Sequence, residues 1–219
     1  TVQNSRDGAL KIVIAGGGFM PFEMPIEEFV AAAQGTDCLV YGCIEHVRPA
    51  VDENVVRGIA SRFWSAGVAG IHLFNYFGKP AEWKRRVLSQ IASPEALARL
   101  DKRYCMDVTD RFAFRDLHDY PFRYAIPRVQ LPVTLPYTLT GRGPVLDIRV
   151  GDDVESARAD GALRECVLKL SFDDLKGEDE LEVWLNGRLL SSGSCRTSFG
   201  GWSRLEWTGF PTRLAQVEH

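Results

Sequence analysis

The feature that most constrains this chain is an alternation confined to its first half. Near-continuous apolar runs at 10–15 (LKIVIA), 38–44 (CLVYGCI) and 70–77 (GIHLFNYF) are each followed by a segment of helical periodicity. Strands that are apolar along both faces must be covered on both faces, which is the habit of parallel sheets in α/β proteins. The intervening helices are predicted over 26–34, over 53–66 and from Pro80 to about residue 91. In the second of these, Val55, Val56, Ile59, Ala60 and Phe63 form one stripe, with Asp52 as N-cap and Gly67 just past the end. In the third, Trp83, Val87, Leu88 and Ile91 recur at helical spacing, and residues 93–95 (SPE) open a fourth helix. Right-handed crossovers make the strands adjacent and parallel. Three strands do not close a barrel, so they suit a small open sheet or part of a larger one.

From Tyr104 onward the texture changes to short alternating strands broken by Pro, Gly and Asn-Gly. Leu146, Ile148 and Val150 alternate with polar residues, as do Leu168, Leu170 and Phe172, and Leu181, Val183 and Leu185. Each set predicts a half-buried strand. Asn186-Gly187 predicts a tight hairpin, because a type I′ turn needs positive φ at both central residues. Trp184 shares parity with Glu182 and is expected to face away from the core. The reading is a β-sandwich over 104–219 following an α/β portion over 1–103.

Composition narrows the function classes. The 219 residues hold 26 Lys and Arg against 29 Asp and Glu, a net charge of −3, with neither sign in long runs. That argues against a general nucleic-acid binder and against a polybasic membrane-surface protein. No run approaches the roughly 18 apolar residues of a spanning helix, and residues 1–10 are too polar for a secretory signal, so a soluble chain is expected. Five cysteines with no Cys-x-x-Cys pair encode neither a disulfide framework nor a zinc ribbon.

The strand into Gly16, Gly17 and Gly18 resembles a dinucleotide-binding turn on the surface only. Counted from Gly16, the third glycine of G-x-G-x-x-G falls on Pro21; Phe19, Met20 and Phe22 are bulky where a pyrophosphate must approach backbone amides. Pro21 and Pro25 also keep a helix from starting at the glycines. The plain alternative is a glycine-rich strand-to-loop turn. His46, His72, His118 and His219 form no metal-ligand spacing, and no G-x-S-x-G elbow is present. No metal or cofactor is therefore expected. In a (β/α)8 barrel the chemistry lies at the carboxyl ends of the strands, which nominates 17–22, Glu45 with His46, and 75–79. Glu45 directly follows a strand, the alternative being a loop glutamate paired with Arg48.

Residues 57–77 (RGIASRFWSAGVAGIHLFNYF) resemble the last strand, and the helix before it, of glycoside-hydrolase-like barrels, the bacterial proteins similar to family-10 glycoside hydrolases. The pattern there is roughly R-G-x-A-x-x-Y/F-W-x-x-G-A-D-G-I-Y-L-F-N-F-F. Val68 and Ala69 stand where that pattern has Ala-Asp, and His72 where it has Tyr. Residues 41–45 (YGCIE) resemble the preceding strand, 97–104 the linker into the accessory domain, and 131–135 and 181–187 its sandwich.

The resemblance implies that 10–92 are the sixth to eighth βα units of a (β/α)8 barrel whose other units lie outside this chain. Retaining glycosidases of this architecture carry an acid/base Glu after the fourth strand and a nucleophile after the seventh, with the two carboxyl groups about 5–5.5 Å apart. Glu45 matches the nucleophile's strand, and no residue here matches the acid/base. The resemblance thus implies a carbohydrate ligand, with Phe22, His46, Asn75 and Tyr76 as substrate-binding residues; Phe19 and Phe77 are further aromatic rings at the rim, core packing being the default expectation for Phe77 and Phe74. It implies that this chain alone is inactive and that the sandwich over 104–219 is incomplete at its C-terminal end. The alternative is a non-catalytic carbohydrate-binding or structural module on the same scaffold.

Overall fold

The computed structural model describes residues 11–16, 22–45, 52–74, 76–106, 130, 131, 133, 135, 143–172, 175, 180–191, 195–198 and 203–208; at 45, 195–198 and 203–208 only the backbone is described. The chain divides into two compact units, 1–152 and 153–219. The expected boundary at 103/104 falls inside the first, where Tyr104 bonds to Ser61 and Asp152 to both Ser61 and Lys102.

The first unit runs β1 (Lys11–Gly16), α1 (Ile26–Ala33), β2 (Cys38–Glu45), α2 (Glu53–Ser65), β3 (Gly70–Phe74), α3 (Ala81–Ile91) and α4 (Pro94–Leu97). The strands form a parallel sheet in the order β1-β2-β3, with Lys11 opposite Cys38 and Tyr41 opposite Gly70. β3 ends at Phe74, short of the predicted residue 77: Tyr76 and Phe77 turn away toward α3. Local signals set the helix starts. The Asp52 carboxylate accepts from Val55 N at 2.9 Å, and Ser93 Oγ accepts from Ala96 N at 3.3 Å with Pro94 next in line.

One side of this sheet carries the core. Ala15, Val40 and Ile44 bury against Ile26 of α1, against Val56, Ile59, Ala60 and Phe63 of α2, and against Val87 and Ile91 of α3, with Ile71 and Leu73 packed on the same cluster. Full burial of each large side chain contributes about 1.5–3 kcal/mol. Gly42 lies directly beneath Phe63, and a Cβ there would meet the ring at 2.2 Å. Trp64 Nε1 donates to Ile91 O at 3.0 Å, tying α2 to α3.

The other side carries the alternate residues. Ile12, Ile14 and Phe74 are about half exposed, at 48%, 51% and 49%. Leu39, Tyr41 and His72 are half-buried between them, and the Tyr41 ring lies over Gly70. The described helices therefore pack on one face of the sheet.

The segment 146–150, predicted as a strand, carries no strand assignment: 143–150 is exposed and joins no ladder among the described residues. Alternation decides which way side chains point, but a strand also needs a backbone partner. A side chain substitutes for that partner at one point, since the Gln130 amide donates to Asp147 O at 3.0 Å and accepts from Asp147 N at 2.8 Å.

The second unit holds α5 (Val154–Ala159), β4 (Val167–Phe172), β5 (Trp184–Leu185), β6 (Arg188–Leu189), β7 (Cys195–Ser198) and β8 (Ser203–Thr208). Asp153 caps α5, accepting from Ser156 N at 3.0 Å and Ser156 Oγ at 2.6 Å. β4, β8 and β7 form an antiparallel sheet in that order. β5 and β6 form a hairpin whose turn has φ of 49° at Asn186 and 77° at Gly187, the left-handed pair a type I′ turn requires. Trp184 stands on this hairpin 59% exposed, opposite Leu189 at 51%.

Candidate functional site

Parallel strands place all their carboxyl ends on one rim, so residues distant in sequence meet there. Gly16 closes β1 opposite Cys43, and Glu45 closes β2 opposite Phe74, the last residue of β3. The sequence brings Glu45 to this rim because the apolar run of β2 ends one residue earlier, at the fully buried Ile44.

The other nominated residues fare differently. Phe22 is 8% exposed and belongs to the hydrophobic core, so packing occupies its ring. His46 and Asn75 lie outside the described residues, as do Phe19 and Arg48. Tyr76 and Phe77 form the turn that leaves β3. Phe77 is 80% exposed, while Tyr76 is half-buried with its ring 5.8 Å from that of Trp83 at a 41° tilt. Burial pushes the Tyr76 hydroxyl up to about 12, helped by the nearby Glu53 carboxylate, so the phenol stays protonated at neutral pH.

Of the cationic part of this rim, strand-end position nominated Lys79, within 75–79, but not Lys84. Lys79 Nζ lies 5.3 Å from the centre of the Trp83 ring, and Lys84 Nζ lies 5.9 Å from that of Tyr76. Lys84 also donates to Phe77 O at 3.1 Å, which ties the turn to α3. The signal that finds them is the helix start at Pro80: residues 79 and 83 sit four apart around it, the separation at which helical side chains meet.

Behind the rings is an ion-pair network. Glu53, at the start of α2, accepts from Arg86 of α3 and from Arg57 at 2.8 Å. Arg57 further donates to Gln90 at 3.0 Å and to Asn54 at 2.8 Å. The hydrogen bond from Arg86 holds the Glu53 carboxyl below the usual carboxylate range, aided by both guanidinium charges and opposed by partial burial.

The rim can therefore offer a carboxylate position at the end of β2, an open aromatic face and two ammonium groups. Among the described residues, no group of three His, Cys, Asp or Glu side chains comes together as a metal site, and no helix is long and apolar enough to cross a membrane. No protein-family model matches the chain, and no curated protein matches it.

Proposed function

We propose that this chain is the C-terminal part of a glycoside-hydrolase-like (β/α)8 barrel, over 1–103, with an accessory β-sandwich over 104–219, and that Glu45 is the nucleophile of the whole protein. The observation that supports this reading best is the one-sided sheet. Strand order runs β1-β2-β3 without reversal and the described helices gather on one face, leaving Ile12, Ile14 and Phe74 on the other. A doubly wound sheet reverses its strand order and carries helices on both faces, whereas a barrel keeps its helices outside and fills its interior with branched and aromatic side chains.

In the proposed reaction the Glu45 carboxylate attacks the anomeric carbon and the glycosidic C–O bond breaks. The departing oxygen takes a proton from the acid/base carboxyl after the fourth strand, a group this chain does not supply. Water, deprotonated by that same group, then hydrolyses the glycosyl ester and restores Glu45. The exposed Phe77 ring offers a face on which a pyranose can stack.

The test is Glu45→Gln in the full-length protein against aryl glycosides. Turnover should fall by orders of magnitude while the thermal midpoint stays in place. Unchanged turnover would leave Glu45 as a loop residue. Retained saccharide binding with no hydrolysis by the unsubstituted full-length protein would favour the non-catalytic carbohydrate-binding module, which needs the Phe77 platform and no acid/base pair.

A further inference from the structure

We infer that Cys43, His72 and Glu45 form a binding site for a thiophilic divalent cation, zinc above all, on the face of the sheet turned away from the described helices. Neighbouring contacts fix which side each strand residue takes. A Cβ on Gly42 would meet the Phe63 ring of α2, so Gly42 faces the helices and Cys43, the next residue of β2, faces away from them. The Tyr41 ring over Gly70 puts those two residues on that same far side. Alternation along β3 brings His72 there with Gly70, while Ile71 and Leu73 pack on the helix-side core.

The register then sets the spacing. Cys43 is directly opposite His72, and Glu45 is opposite Phe74, one step nearer the carboxyl ends of the strands. Backbones of adjacent strands lie about 4.8 Å apart, and residues two apart on one strand about 6.6 Å. A thiol, an imidazole and a carboxylate residue therefore occupy the corners of a small triangle on one face, Cys43 and His72 by their side chains' side of the sheet and Glu45 by its backbone position. On the other flank of Cys43 stands Gly16, where a Cβ would lie 3.4 Å from the Cys43 Cβ and 3.0 Å from its carbonyl oxygen, so β1 brings no side chain into the row beside the thiol. Zinc takes sulfur at about 2.3 Å and imidazole nitrogen at about 2.0–2.1 Å, and three protein ligands with an open fourth position make a common zinc arrangement. Thiolate and imidazole select such an ion over Mg2+ and Ca2+, which prefer oxygen ligands. The inference does not rest on the carbohydrate reading. Where both hold, zinc on Glu45 occupies the lone pairs that attack on a sugar requires, and it inhibits hydrolysis.

The experiment is titration of the full chain, reduced and free of chelator, with Co2+ as a spectroscopic stand-in, followed by displacement with Zn2+. One equivalent of Co2+ should bind with a thiolate-to-cobalt charge-transfer band, and Zn2+, the tighter-binding ion, should abolish it. Cys43→Ser should remove the band. His72→Gln and Glu45→Gln should each keep the band and weaken binding at least about tenfold, and Cys38→Ser should leave both unchanged. Circular dichroism checks the fold of each variant, and Glu45→Gln, at the end of its strand, reports on the site even if Cys43→Ser unfolds. A band that persists in Cys43→Ser, an affinity unchanged by His72→Gln or by Glu45→Gln, or no cobalt binding by the parent chain would each overturn the inference and leave the carbohydrate reading standing.

Discussion

Lys102 and Asp152, fifty residues apart in sequence, form an ion pair at 3.0 Å in which the lysine side chain is only 3% exposed. Asp152 also accepts from Ser61 Oγ at 3.2 Å, and Ser61 Oγ in turn accepts from Tyr104 Oη at 3.0 Å. Burial pushes the Tyr104 phenol far above its ordinary range. The cluster fastens two stretches without regular secondary structure onto α2. Removing one partner of a buried pair leaves a charge with neither water nor counterion. Asp152→Ala should therefore destabilise the first unit by about 3–5 kcal/mol in urea unfolding. A change within 0.5 kcal/mol would mean that water reaches Lys102.

Gly42→Ala tests the contact between sheet and helix layer. The new Cβ would sit 2.2 Å from a ring atom of Phe63, itself fully buried. The ring has no room to retreat, so a loss of about 1–3 kcal/mol is expected from overpacking. Pairing Gly42→Ala with Phe63→Leu should recover part of it, and a double-mutant cycle measures how much.

Acid should weaken the joint between α2 and α3. The Glu53 carboxyl is lowered in the folded chain, chiefly by the hydrogen bond from Arg86. The unfolded chain therefore takes up this proton at higher pH than the folded one. The stabilisation is complete above the ordinary glutamate value of about 4.3 and drains away as pH falls through it and then through the lowered value. Urea midpoints of Glu53→Gln and of the parent should differ most near neutrality and converge toward about pH 3. Parallel curves would show that Glu53 titrates alike in both states.

The hairpin of the second unit depends on left-handed backbone at Asn186 and Gly187. Gly187→Val places a β-branched side chain at φ 77°, where L residues other than Asn, Asp and Gly are strained. The cross-strand proximity of Trp184 and Leu189, read by proton NMR, should be lost.

Patterns that repeat over a whole element were legible in the sequence. The runs at 10–15, 38–44 and 70–77 located the strands of a parallel sheet, Asp52 and Ser93 marked helix starts, and Asn186-Gly187 marked its turn. What escaped was whatever depends on a distant partner. Leu146, Ile148 and Val150 alternate as strand residues do, yet 143–150 joins no ladder among the described residues. The ring contacts of Lys79 and Lys84 depend on how the chain turns after Phe74, which periodicity does not encode. Phe22 read as a rim aromatic because it follows a glycine run, and it is buried because α1 begins four residues later and draws it inward.

The helices' gathering on one side of β1, β2 and β3 has an evolutionary consequence. Val40 and Ile44 on the helix side are held by volume, so homologues should drift there only among Val, Ile and Leu. Ile12, Ile14 and Phe74 on the other side owe nothing to those helices. Across diverging sequences the two parities of the same strand should therefore accumulate change at separate tempos, the second set following whatever shares its face.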